Sequence, residues 1–272
     1  MTKKEVQEIL YKILCIVDNV CKEEGVEYSL GGGTMLGAVR HHDFIPWDDD
    51  IDVCIWAEDY PKLREALKRH LQEPYRLVEP VDLSPYFLDF VIRVQDTRYH
   101  WHEPTEEDLT YDNLQNHVCL DIFCTVRSGK TRLGQSLYAL QHKIIYGLAM
   151  GHRVKLDYSQ YSAIGKIQAF VLSSVGKLFP VEKLIEAHRR LGTKYMGTDN
   201  KYCIVTNDLP KYLNRPYESG WFIGTEDMPF HDRLFPVHKG YHEKLTMQYG
   251  DYMKPPESMS DYMCHVKEGG TE

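Results

Sequence analysis

With 272 residues, 43% of them apolar, the chain is long enough for one large domain or a compact pair around a packed core, which excludes disorder on a large scale. Forty acidic against 32 basic residues leave a net charge of −8. A general nucleic-acid binder, which needs a basic stripe to neutralise phosphate, is thereby disfavoured, whereas a local site for a small phosphorylated ligand is not. Seven scattered cysteines (15, 21, 54, 119, 124, 203 and 264), odd in number and without a Cys-x-x-Cys pair, argue against a disulfide framework and a structural zinc site. Reduced thiols in a cytoplasmic protein are expected. The N-terminus carries charges where a signal peptide needs its apolar run, and no apolar stretch reaches bilayer-spanning length.

In chain order, Val6, Ile9, Leu10, Ile13, Leu14, Val17 and Val20 recur at helical spacing and predict an amphipathic helix over residues 3–24, ended by Gly25. A short strand over 26–30, a short helix over 34–40 and a second strand over 51–56 follow. The Leu63, Leu67, Leu71 stripe predicts a helix over 61–71 with proline in its first turn, where the missing N–H costs nothing. Strands are predicted at 86–95 and 118–125, and the polar stretch 99–114 reads as a long loop or hairpin that helps to shape a pocket. Helices are predicted at 133–150, 164–178 and 181–195.

The middle of these three helices has Ile164, Ile167, Val171, Val175 and Leu178 in register. Its stripe is expected to face the core, because its polar face is not strongly basic. The other use for such a stripe is peripheral association with the inner face of a membrane that carries a lipid-linked acceptor. Residues 201–240 look irregular apart from a short strand at 202–206, and 241–249 predicts a final helix before Pro255-Pro256. The organisation expected is an α/β region over 1–150 and a mostly helical region over 151–272, packed as one body.

Chemistry concentrates in residues 28–55. Gly31-Gly-Gly-Thr34 forms a glycine turn ahead of a helix, which offers free backbone N–H groups to an anion, and Thr34 adds a hydroxyl. Downstream lie Asp48, Asp49, Asp50 and Asp52. In a strand from Asp50 to Trp56 the side chains alternate, so Asp50 and Asp52 share a face. Their repulsion would raise one pKa unless a cation were bound, and a divalent metal resolves it. Asp48 extends the row. A further acid, Asp121, sits inside the apolar run Val118-Cys-Leu-Asp-Ile-Phe123, where an unpaired carboxylate would cost several kcal/mol to bury, of order ~2–7 kcal/mol for a polar group. If its strand neighbours that of Asp52, three carboxylates converge on one or two metal ions. Arg40 and His41, ending the short helix, either hold a phosphate oxygen or cap the helix dipole. Trp47 either stacks on a ligand or anchors the core.

The segments Gly32-Gly-Thr-Met-Leu-Gly-Ala-Val-Arg40 and Phe44-Ile-Pro-Trp-Asp-Asp-Asp-Ile-Asp52 resemble the LicD family, as do Leu120-Asp-Ile-Phe123 and Tyr249-Gly-Asp-Tyr-Met-Lys-Pro-Pro256. The likeness covers nearly the whole chain and extends distantly to fukutin-related proteins. It implies an α/β (α+β) nucleotidyltransferase-like fold, a mixed sheet with flanking helices and a mostly helical C-terminal half. By resemblance, Asp50 and Asp52 are paired metal ligands, Asp121 the third acid and Asp48 an additional acid, with Gly32, Gly33, Thr34, Arg40, His41 and Trp47 toward substrate. Mg²⁺ or Mn²⁺, one or two ions, is the implied cofactor. Bacterial members are associated with attaching phosphocholine from CDP-choline to sugars of teichoic acid or lipooligosaccharide, so a CDP-linked donor and a glycan acceptor are the implied partners. Trp101, Tyr111 and Trp221 are candidates for a choline-binding cage. Two other readings stand beside this one: transfer of a nucleoside monophosphate from a triphosphate, and a non-catalytic glycan-binding protein on the same fold.

Overall fold

Thr2 opens the first helix, α1 (Lys3–Glu24), with a capping box: its hydroxyl accepts the Glu5 N–H while the Glu5 carboxylate accepts the Thr2 N–H. Gly25, at φ +62°, closes it. The chain, described here from a computed structural model over residues 1–159 and 161–255, buries the whole predicted stripe of α1. Pro256 and Cys264 lie outside the described residues, and the six cysteines within them are free thiols.

β1 (Ser29–Leu30) is shorter than expected and leads into α2 (Gly32–His41), which starts two residues early because the glycines themselves make its first turn. β2 (Asp52–Trp56) and α3 (Tyr60–His70), with Pro61 in its first turn, follow. β3 (Tyr75–Val78) was not anticipated, and a 3₁₀ turn at Pro80–Leu83 precedes β4 (Ile92–His100), which begins later and runs further than the predicted strand. The polar stretch connects β4 to its antiparallel partner β5 (His117–Arg127) and includes α4 (Glu106–Thr110), folded over a small cluster of Val78, Leu83, Tyr111 and Leu114.

Three helices come next: α5 (Arg132–Ala149), α6 (Ala163–Gly176) and α7 (Val181–Gly192). The rest of the region is not simply irregular. β6 (Cys203–Val205) joins the main sheet, β7 (Thr225–Phe230) and β8 (Arg233–His238) form a hairpin, and α8 (Tyr241–Tyr249) has the predicted bounds. The hairpin escaped sequence reading because each strand carries a proline, Pro229 and Pro236, which a two-stranded ribbon tolerates and a central strand does not.

The main sheet runs β1-β2-β5-β4-β3; β2 and β5 are parallel and the other pairs antiparallel. Along one edge of β5, β4 pairs up to Ile122 and β6 takes over from Thr125. Asn207 fills the gap: its Oδ1 accepts the Cys124 N–H at 2.7 Å, and its Nδ2 donates to the Ile122 carbonyl at 2.8 Å. One buried amide thus supplies the two bonds a strand would have made. Val118, Leu120 and Ile122 point from β5 into a core shared with α1, α3, the hairpin and Leu245 of α8. The C-terminal segment therefore belongs to the same core as the first helix.

α6 corrects an expectation. Its stripe faces outward: Ile164 is 70%, Ile167 66% and Leu178 78% exposed. The buried side is the small one, Ala169, Ser173 and Gly176. A β-carbon on Gly176 would stand 1.8 Å from the Leu148 carbonyl oxygen, so the α6 backbone sits directly on the end of α5.

Candidate active site

Asp52 opens β2 and is paired in register with Asp121 on β5, which places both carboxylates on one face of adjacent parallel strands. Arg93 on β4 is in register with Asp121 from the other side, and its Nε lies 3.3 Å from Asp121 Oδ1. The arginine is held in turn by Asp89 through two bonds of 3.0 and 2.7 Å. Two carboxylates and a guanidinium, Asp52, Asp121 and Arg93, thus cross three strands in one row. Asp50 precedes the strand rather than starting it, so alternation along a strand does not place it. It reaches the cluster from the Pro46–Ile51 loop, where its side chain hydrogen-bonds Asp48.

The glycine turn docks against these acids. The Gly31 N–H donates to the Asp52 carbonyl at 2.8 Å, and Thr34 Oγ1 accepts the Asp52 N–H at 2.9 Å. A β-carbon on Gly32, whose φ is +43°, would stand 2.3 Å from Asp52 Oδ2, and one on Gly33 2.5 Å from Asp48 Oδ2. At Gly32 the left-handed backbone favours glycine, and at both positions a side chain would have to displace a carboxylate. Gly37 meets the Asp43 carbonyl in the same way, at 2.5 Å, so its role is close packing.

Burial, then the charge of Asp50, raises the Asp48 carboxyl far above the carboxylate range; burial, then Asp50 and Asp121, does the same to Asp52. Asp121 is pushed up to about 6 by burial, with Arg93 pulling against it. Burial works to lower Arg93, yet Asp89 and Asp121 hold it well above its ordinary value. Asp48, Asp50, Asp52 and Asp121 therefore form one electrostatically linked cluster of oxygen donors, as a hard divalent cation requires. Among the described residues no three His, Cys, Asp or Glu side chains already stand in a metal-holding arrangement. An ion would have to draw the carboxylates together around itself and Asp121 away from Arg93.

Arg40, His41 and Trp47 form a separate group at the other end of α2. Arg40 Nη1 donates to the Tyr252 carbonyl at 2.7 Å, its guanidinium lies 6.0 Å from the Trp47 ring, and His41 is edge-on to the same ring at 6.2 Å. Burial, then Arg40, lowers the His41 pKa. Arg40 thus ties the C-terminal segment to α2. Trp101, Tyr111 and Trp221 do not meet: they pack in three different clusters, with the α1 core, with Leu83 and Leu114, and with Tyr217 and Phe222.

Four residues at or beside the site were not singled out from sequence. Arg93 and Asp89 carried a readable signal, a charged pair flanking the predicted strand core. Tyr249, at the end of α8, lies in the field of the acids: burial, then Asp52, Asp48 and Asp50, raises its phenol. On the same side Lys244, 1% exposed, donates to Cys54 Sγ at 3.5 Å and lies 4.7 Å from the Phe222 ring.

Residues 25–145 match the model of the LicD/FKTN/FKRP nucleotidyltransferase domain. Over 98% of its length the chain is 28% identical to the lipopolysaccharide cholinephosphotransferase LicD of Haemophilus influenzae, of which it covers 97%. A shorter match, 54% identical over 43 residues, relates 16% of the chain to 9% of the human ribitol 5-phosphate transferase FKRP. An uncharacterized Rickettsia typhi protein, RT0683, is 35% identical over 68 residues, 25% of this chain and 22% of that one. Residues 25–145 are therefore similar to the nucleotidyltransferase domain of the LicD/FKTN/FKRP family, the family that the glycine and aspartate motifs resemble.

Proposed function

We propose that the protein transfers a substituted phosphate, phosphocholine from CDP-choline, to a sugar hydroxyl of a cell-surface glycan such as teichoic acid or lipopolysaccharide. The observation that carries this reading is the row of Asp52, Asp121 and Arg93 across β2, β5 and β4, set against the glycine start of α2. Near full-length similarity to a cholinephosphotransferase supports the choice of substituent.

Asp50, Asp52 and Asp121 would hold Mg²⁺, with Asp48 beside them. When bound, the ion neutralises the donor diphosphate and stabilises the entering and departing oxygens. The remaining work belongs to the protein. The N-terminus of α2 orients the diphosphate, and Arg93 fixes the position of Asp121. Asp121 orients the acceptor hydroxyl and takes its proton as the oxygen attacks phosphorus. The new P–O bond to the sugar forms while the bond to CMP breaks, and CMP leaves with the electron pair. Positioning and charge neutralisation supply most of the acceleration, as in other phosphoryl transfers.

The test is release of CMP from CDP-choline in the presence of a sugar acceptor and Mg²⁺, with CDP-ethanolamine, CDP-glycerol and CDP-ribitol for comparison. Acceptor-dependent CMP that chelation abolishes is the expected result. Asp52→Asn should remove turnover while raising the melting temperature, because it relieves a buried like charge. Pyrophosphate from a nucleoside triphosphate, or near-normal turnover in the variant, would overturn the reading.

A further inference from the structure

The outward stripe of α6 is a surface the transferase reading does not use. Six large apolar side chains, Ile164, Ile167, Phe170, Val171, Val175 and Leu178, are each at least 43% exposed, and Phe179 follows them. At 100° per residue the six fall within an arc of about 140°, with Lys166 and Lys177 at one margin of it. The opposite side is Ala169, Ser173 and Gly176, pressed onto α5, so the stripe cannot turn inward without losing that contact. The neighbouring helix repeats the pattern: Leu133, Leu137, Leu140 and Ile144 of α5 are at least 40% exposed. An apolar face of this size on a soluble chain marks a docking surface.

Charge identifies the occupant. Residues 130–180 contain seven Lys and Arg and a single acid, Asp157, a net +6, so the rest of this −8 chain carries −14. A second copy would bring one net-positive segment against another and repel itself. An anionic surface is attracted, and a planar apolar and anionic partner is a lipid bilayer. No helix among the described residues is long and apolar enough to cross a membrane, and α6, at 14 residues, spans only about 21 Å.

We propose that α6 lies in the headgroup plane of an anionic membrane, its apolar stripe in the acyl boundary and its lysines among the phosphates. The surface does not depend on the transferase reading and is tested apart from it. The purified chain is pelleted with vesicles of phosphatidylcholine alone and of phosphatidylcholine mixed with phosphatidylglycerol, at low and high salt, beside the double variant I167E/V171E. Wild type should pellet with the anionic vesicles and be released by salt. The variant should bind them roughly a hundredfold more weakly, tenfold per position, tenfold being what about 1.4 kcal/mol produces. Its melting temperature and its CMP release with a soluble acceptor should match wild type, because both positions are exposed.

Wild type left in the supernatant with anionic vesicles would overturn the proposal in favour of a protein partner. Undiminished pelleting of the variant would overturn it by placing the lipid contact elsewhere. A wild-type dimer in sedimentation that the variant converts to monomer would assign the face to a second copy. Failure of CMP release with vesicle binding intact would sink the transferase reading alone.

Discussion

Helices α1 and α6 both carry an apolar stripe at helical spacing, yet α1 buries Val6, Leu10, Ile13 and Leu14 completely while α6 exposes Ile164, Ile167 and Leu178. The difference lies on their other sides. α1 offers charged residues opposite its stripe, so only the stripe can be packed. α6 offers Ala169, Ser173 and Gly176, which let backbone meet backbone, and close approach of small residues wins the inner position. Apolar periodicity therefore establishes that a helix forms and leaves open which side it buries.

Substitutions can break this comparison, beginning with the deepest. Leu10→Ala removes a fully buried side chain from the shared core and should lower unfolding free energy by about 3 kcal/mol, read from denaturant melts. Gly176→Ala, which a small-residue account alone would permit, should cost about 2 kcal/mol, because the new methyl meets the Leu148 carbonyl. At the solvent end of the scale, Val171→Ser should change stability by less than about 0.5 kcal/mol. A loss at Val171 as large as that at Leu10 would mean that the stripe is packed after all.

Between these extremes stands His142, on the inner side of α5. It is fully buried, makes no hydrogen bond among the described residues, and stands edge-on to Tyr138 and His188. Burial, then His188, brings its pKa down from 6.5 to about 2. The unfolded chain takes up this proton near pH 6.5 and the folded one does not, so stability is complete above that pH and falls as the solution is acidified below it. The loss is about 1.4 kcal/mol at one unit below. His142→Leu should shrink the stability difference between pH 7.5 and pH 5.5 by that amount. An unchanged difference would show that His142 is protonated in the fold.

Much of the architecture could be read from the chain. α1 and α8 have the bounds their periodicity and caps imply, and Gly25 ends α1 through its left-handed backbone. Convergence of Asp52 with Asp121 was legible only as a condition, because parallel pairing of β2 with β5 joins residues that no local signal links. The fork at Arg93 depends equally on register. The glycines were read as a cradle for phosphate; Gly32 and Gly33 also make room for the Asp52 and Asp48 carboxylates, a distinction visible only once α2 and β2 are in contact. Prolines hid the hairpin, and small residues hid the orientation of α6.

The side chain of Asn207 replaces a short length of missing strand between β4 and β6, beside the segment of β5 that carries Asp121. Ageing of that single amide to a carboxylate would keep the acceptor for Cys124 but turn the donor to Ile122 into an oxygen facing an oxygen. The geometry of this seam thus rests on one neutral side chain a short step from the acids, and its burial with both amide atoms bonded is what shields it from that change.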